Sequence, residues 1–192
     1  MKKLVVIAAT CALFGSATAA LAAGDAAAGK AKSATCAACH NADGNSANPQ
    51  YPKLAGQGEG YLLKQLQDYK SGARVNAIMA GMVAPLSPQD MEDLSAYYAS
   101  QQIARGAADP ALAPVGEAIF RGGNLNSGVS ACMACHGPNG AGIPAAKFPA
   151  IAAQHAEYTE LQLKAFRAME RANDAGQMMR SIASKMTDPE IK

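Results

Sequence analysis

The 192-residue chain predicts an all-α fold built from two tandem copies of one unit. Three observations carry that expectation. No segment shows the period-two alternation of a half-buried strand, and short helix-like stretches recur between Gly- and Pro-rich loops. A five-residue block, Cys36-Ala-Ala-Cys39-His40, returns as Cys132-Met-Ala-Cys135-His136, 96 positions later. Its surroundings return too. Tyr51-Pro52-Lys53-Leu54 faces Phe148-Pro149-Ala150-Ile151 at an offset of 97, and Gln57, Tyr61, Leu66, Tyr69, Arg74 and Asn76 meet Gln154, Tyr158, Leu163, Phe166, Arg171 and Asn173 at the same offset. Repetition on this scale marks a duplicated structural unit.

From the N-terminus, Lys2 and Lys3, the apolar run Leu4 to Phe14 and Ala20-Leu21-Ala22 read as a secretory signal peptide over residues 1–22. Its apolar run is too short to span a bilayer, and Thr10 before Cys11 argues against lipid attachment there. The mature protein is therefore expected in the periplasm. An N-terminal domain over 23–105 and a C-terminal domain over 106–192 follow, with a Gly/Ala/Pro-rich linker around Arg105 to Pro114.

A first helix is expected through Ala26 to Ala38, matched by Val115 to Arg121, and long loops follow both histidines. Tyr61 to Ser71 and Tyr158 to Arg171 are the next helices. Ser87 as N-cap and Pro88 at the first helical position open another, reaching about Gln102. Leu86-Ser87-Pro88 faces Met186-Thr187-Asp188 at an offset of 100, and the sequence stops at Lys192. The expectation is thus a second domain lacking its C-terminal helix and less stable than the first.

The repeated block has the C-x-x-C-H spacing of covalent haem attachment. Two thiols three residues apart can each form a thioether to one of two vinyl groups on a porphyrin edge, and the next residue brings an imidazole to the iron. Cys36, Cys39, Cys132 and Cys135 are the expected attachment points of two haem c groups, with His40 and His136 as proximal ligands. All four cysteines beyond the signal segment are used in this way. A zinc site using the two pairs as four thiolates would leave both histidines coincidental, and a thioredoxin-like pair would need a βαβ context. Each half, at roughly 80–90 residues, is of a size at which a single core is marginal, so a buried macrocycle would supply the missing apolar centre.

The chain has no Trp and few aromatic residues, and without Lys2 and Lys3 its basic and acidic residues balance at fifteen each. No basic stripe points to nucleic acid. A sixth ligand of the Met type closes the iron and raises its potential, suiting electron transfer. With the offset of 100, Met79 aligns with Met179, whereas Met82 meets Ile182, Met178 meets Ile78 and Met186 meets Leu86. Met79 and Met179 are the expected axial ligands, and Met82, Met178 and Met186 are read as core filler. Pro52 and Pro149, 12 and 13 residues after their histidines, are expected to offer carbonyls to the histidine Nδ1 protons. Arg74 and Arg171 are read either as partners of haem propionates or as solvated helix ends. His155 is expected at the surface.

With these residues in view, the chain resembles the cytochrome c4 family. The stretches that carry the resemblance include GDAAAGKAKSATCAACH, YPKLAGQGEGYLLKQLQDYKSG, PLSPQDMEDLSAYYASQ, FPAIAAQHAEYTELQL and RANDAGQMMRSIASKMTDPEI. The resemblance implies two class I cytochrome c domains related by internal duplication and packed about a pseudo-twofold axis, with two His/Met haems. It also implies a non-enzymatic carrier taking electrons from a quinol-oxidising complex and passing them towards a terminal oxidase. The family's axial methionines fall on Met79 and Met179. Redox proteins are the expected partners of a monomer, with peripheral membrane association left open. The alternative is a haem enzyme or its electron-entry subunit, such as a dihaem peroxidase, which would need one iron open to substrate.

Overall fold

The computed structural model describes residues 24–192; the expected signal peptide and Cys11 lie outside them. Among the described residues the regular structure is helical, with two isolated antiparallel bridges, Asn124 to Val129 and Ile143 to Phe148.

The expected first helix is two helices, α1 (Ala26–Lys32) and α2 (Ala34–His40). Ser33 divides them: its N–H and its hydroxyl both bond the Lys30 carbonyl, at 3.3 and 2.8 Å. Such local bonding by serine competes with the helical ladder. The helix α3 (Glu59–Ser71) stops at Gly72, which adopts φ 81°. Helix α4 (Ala77–Val83) begins at Asn76, whose side chain accepts the Met79 N–H at 2.9 Å. A capping box, with Ser87 and Asp90 satisfying each other's N–H, opens α5 (Pro88–Ala99).

Helix α1 crosses α5 at backbone contact. A Cβ on Gly29 would lie 2.0 Å from the Asp93 carbonyl oxygen and 2.8 Å from Tyr97 Cβ, so only glycine permits this approach. The Asp93 side chain clasps the crossing by accepting the Asp25 N–H, the Gln89 amide and the Lys32 ammonium, each at 2.9 Å. These bonds, the Asp25 N–H first, hold the Asp93 carboxyl down at about 2. Leu62, Leu94, Tyr97 and Tyr98 form the buried core of this half, and Cys36, Leu54 and Leu66 pack against it.

The second half repeats the plan with α6 (Ala113–Gly122), α7 (Met133–His136), α8 (Ala156–Arg167), α9 (Met178–Ala183) and α10 (Asp188–Ile191). Helix α8 ends before the expected Arg171, because the chain turns through Met169 at φ 62°. Helix α10 is a single turn at the place that α5 takes in the first half, with Thr187 and Glu190 forming the same reciprocal cap as Ser87 and Asp90. Ile191 is buried beside Val129 and Met186 in the core of this half. No helix among the described residues is long and apolar enough to cross a membrane.

Candidate functional site

Each C-x-x-C-H block ends its helix with the histidine: His40 closes α2 and His136 closes α7. The four cysteines are half-buried. Both histidines are buried, and each Nδ1 lies 2.8 Å from a proline carbonyl, Pro52 for His40 and Pro149 for His136. A carbonyl oxygen can only accept, so Nδ1 is the protonated nitrogen in both rings and the Nε2 lone pair is left for a metal. The two proline carbonyls are thus where the sequence reading places them. Burial pushes the His40 imidazole below its ordinary pKa, against the opposing pull of the Pro52 carbonyl, which keeps the ring neutral and able to ligate.

A continuous cavity of about 1190 Å³ runs beside both blocks and is lined by all four cysteines, both histidines, Met79 and Met179. The structural register supports the pairing of those two methionines. The reciprocal caps at Ser87 and Thr187, and the fully buried Val83 and Ala183, are each 100 positions apart. Met79 and Met179 therefore stand at equivalent points, near the starts of α4 and α9. Met186 is core, as expected. Met82 and Met178 are not: they are 46% and 41% exposed and line the same cavity.

The halves meet through a network that repeats about a pseudo-twofold axis. Arg74 donates to Gln65 in its own half at 2.8 Å, and to Tyr158 and Gln162 across the boundary at 2.9 and 2.8 Å. Arg171 mirrors it, reaching Gln162 at 2.9 Å, and Tyr61 and Gln65 across the boundary at 3.1 and 3.2 Å. Each guanidinium also stacks on an aromatic ring of its own half, Arg74 on Tyr69 and Arg171 on Phe166. Neither arginine is the solvated helix end allowed for above; both are buried. His155 also departs from expectation. It is half-buried, with Nε2 3.0 Å from the Ser46 hydroxyl and 2.9 Å from the Ser46 carbonyl across the boundary. The symmetry breaks at Asn173, whose amide reaches Gln65 and Asp68 across the boundary, whereas its repeat partner Asn76 caps α4. Recurrence flagged the arginines, but the tyrosines they bond, Tyr158 and Tyr61, come from the other repeat, which periodicity within one half does not reveal.

The lining has what a haem needs. The direct hydrogen-bond partners of Arg74 are Gln65, Gln162 and Tyr158, and those of Arg171 are Gln65, Gln162, Tyr61 and Asn173, all neutral. Two buried cations facing one cavity are complementary to carboxylates. The Tyr98 hydroxyl, which also lines the cavity, is buried without a hydrogen-bond partner among the described residues. Burial pushes the Cys36 and Cys132 thiols up, as for sulfurs set in an apolar wall.

The Cytochrome c family model matches residues 26–102 and again 116–192. Cytochrome c4 of Pseudomonas aeruginosa is 53% identical over 171 residues, covering 88% of this chain and 85% of the relative. The crystal structure of reduced recombinant cytochrome c4 from Pseudomonas stutzeri superposes with a TM-score of 0.86 at 52% identity, covering 88% of this chain and 94% of that one. A thiosulfate dehydrogenase electron acceptor of Thiomonas intermedia is 38% identical over 169 residues, covering 84% of this chain and 76% of the relative. Two such domains carry two covalently bound haem c groups, and the chain is an electron carrier working with redox protein partners, not an enzyme. Its doubled family match, its helical fold and its high-identity relatives together place the chain in the cytochrome c4 family.

Proposed function

We propose that this protein shuttles electrons in the periplasm from a quinol-oxidising complex towards a terminal oxidase. Its two domains span 23–105 and 106–192. Cys36 and Cys39 would hold one haem and Cys132 and Cys135 the other, with His40 and Met79, and His136 and Met179, as the residues that would ligate the irons. When bound, each haem iron takes up and gives up one electron. The chain's own residues decide what else the site can do. The Pro52 and Pro149 carbonyls hold both imidazoles by Nδ1, which leaves each Nε2 lone pair for the iron. The Met79 and Met179 thioethers, which line the same cavity, would complete the ligation of the irons, which would exclude substrate and favour fast, reversible transfer over peroxide chemistry. Arg74 and Arg171 offer the positive charge that propionates need where the halves meet.

The observation that carries this reading is the exact repetition of one set of side chains: two histidines with occupied Nδ1, beside one cavity lined by an equivalent pair of methionines. A second reading rests on the 38% identical electron acceptor of thiosulfate dehydrogenase, in which a sulfur-oxidising dehydrogenase would be the donor. Both readings share the two-haem carrier. Mass spectrometry of the denatured periplasmic protein tests it: the mass should be that of the processed polypeptide plus two haems. A haem-free polypeptide, or zinc seen only under native conditions, would contradict it.

A further inference from the structure

The acceptors of the two histidines are themselves held from the other half of the molecule. Pro52 C=O, which accepts from His40 Nδ1 at 2.8 Å, belongs to the same peptide group as the Lys53 N–H. That N–H donates at 2.8 Å to the side-chain oxygen of Gln154, and the Gln154 amide donates back to the Lys53 carbonyl at 3.0 Å. The second half has the mirror image. Pro149 C=O accepts from His136 Nδ1 at 2.8 Å, and the N–H of the same peptide group, that of Ala150, donates at 2.7 Å to Gln57 Oε1. The Gln57 amide returns a bond to the Ala150 carbonyl at 2.9 Å. Each glutamine oxygen also accepts a backbone N–H at its own anchor, Gly58 for Gln57 and His155 for Gln154, which locks the amide orientation. Gln57 is buried and Gln154 half-buried.

We infer that Gln154 and Gln57 are positioning residues that set the properties of the iron in the opposite domain, through one peptide group each. The physical chain is short. An amide whose N–H is bonded to an acceptor has more negative charge on its carbonyl oxygen, and bonds in series polarise one another by roughly 10–30% each. A stronger acceptor at Pro52 draws the His40 Nδ1 proton further off the ring, which raises the basicity of Nε2. A more basic ligand stabilises Fe(III) over Fe(II). Gln154 therefore lowers the potential of the haem held by His40, and Gln57 lowers that of the haem held by His136. The effect crosses the boundary in both directions, so docking of the two domains is part of how each iron is tuned. This inference rests on His40 and His136 being the iron ligands.

The test uses the two-haem protein with Gln154→Leu and Gln57→Leu, and Gln154→Glu as a variant that keeps the acceptor oxygen. Two readouts are taken: the potential of each haem, and the NMR shift of each histidine Nδ1 proton in the reduced protein. Gln154→Leu should move the His40 Nδ1 proton upfield and favour Fe(II) at that haem two- to threefold at fixed potential. That change is about 20–30 mV at 59 mV per tenfold for one electron. The His136 signals should stay in place. Gln57→Leu should make the same changes at His136 and its haem and leave the His40 signals in place, and Gln154→Glu should restore the His40 signal. Shifts confined to the variant's own half, equal shifts at both haems, or none would overturn the inference. Wild-type protein in which these histidines do not ligate iron would instead refute the ligand assignment, and is seen before any variant is made.

Discussion

Arg74→Leu is the most informative perturbation of the domain boundary. Arg74 is 8% exposed and gives three bonds, to Gln65 at 2.8 Å, Tyr158 at 2.9 Å and Gln162 at 2.8 Å. Bonds from a charged donor contribute roughly 1.5–3 kcal/mol each, and simple addition would forecast a loss above 4 kcal/mol. The structure argues for less. Gln65 keeps Arg171 and Asn173 as donors, and Gln162 keeps Arg171, so neither oxygen is orphaned. Only the Tyr158 hydroxyl loses the bond that holds it. The expected cost is about 2 kcal/mol, carried mainly by the Tyr158 bond and the lost stacking on Tyr69. Denaturant unfolding of the holoprotein, followed at the haem and in the far ultraviolet, measures it. A double-mutant cycle with Tyr158→Phe isolates the shared part, which should reach about 1 kcal/mol or more. Strict additivity of the two substitutions, or a cost below about 0.5 kcal/mol for Arg74→Leu, would refute the reasoning.

Other expectations concern the irons and the first core. Met79→Ala and Met179→Ala should each abolish the Fe(III)–Met absorption band of one haem and lower its potential, whereas Met82→Leu and Met178→Leu should leave both bands intact; loss of a band in either leucine variant would move the ligand assignment. Gly29→Ala should cost about 1–3 kcal/mol, because its methyl would sit 2.0 Å from the Asp93 carbonyl oxygen and force α1 off α5; a thermal midpoint equal to wild type would show that the helices do not cross so closely. Asp93 is held down at about 2, below the ordinary carboxylate value of about 3.9, so its contribution is complete above about pH 5 and fades as pH falls towards 2. Asp93→Asn should remove that part of the acid dependence, and an unchanged acid-unfolding curve would count against the clasp.

Much of this was legible in the sequence where the signal is local. The C-x-x-C-H spacing, the Ser87-Pro88 helix start and the proline carbonyls that hold His40 and His136 all follow from covalent or short-range geometry. The register of Met79 against Met179 was readable because Ser87 and Thr187 make the same cap in both repeats. What escaped was decided by tertiary contact. Ser33 breaks the first helix by bonding Lys30, an alternative that helix propensity alone does not choose. The short helices α4 and α9 have too few turns to display a period. Arg74, Arg171 and His155 were visible as residues, but their burial depends on side chains of the opposite repeat. The cross-boundary glutamines were visible in the alignment of Gln57 with Gln154, yet nothing in that alignment says which half each one serves.

The central claim is that both irons are closed by one histidine and one methionine and exchange single electrons. An optical redox titration of the two-haem protein tests it most directly. Two one-electron steps should be resolved or overlapped, with the Fe(III)–Met band present for both haems in the oxidised protein and lost in step with reduction of each. A titration that accounts for one haem only, or an oxidised spectrum in which one haem is high-spin and lacks the band, would contradict the account.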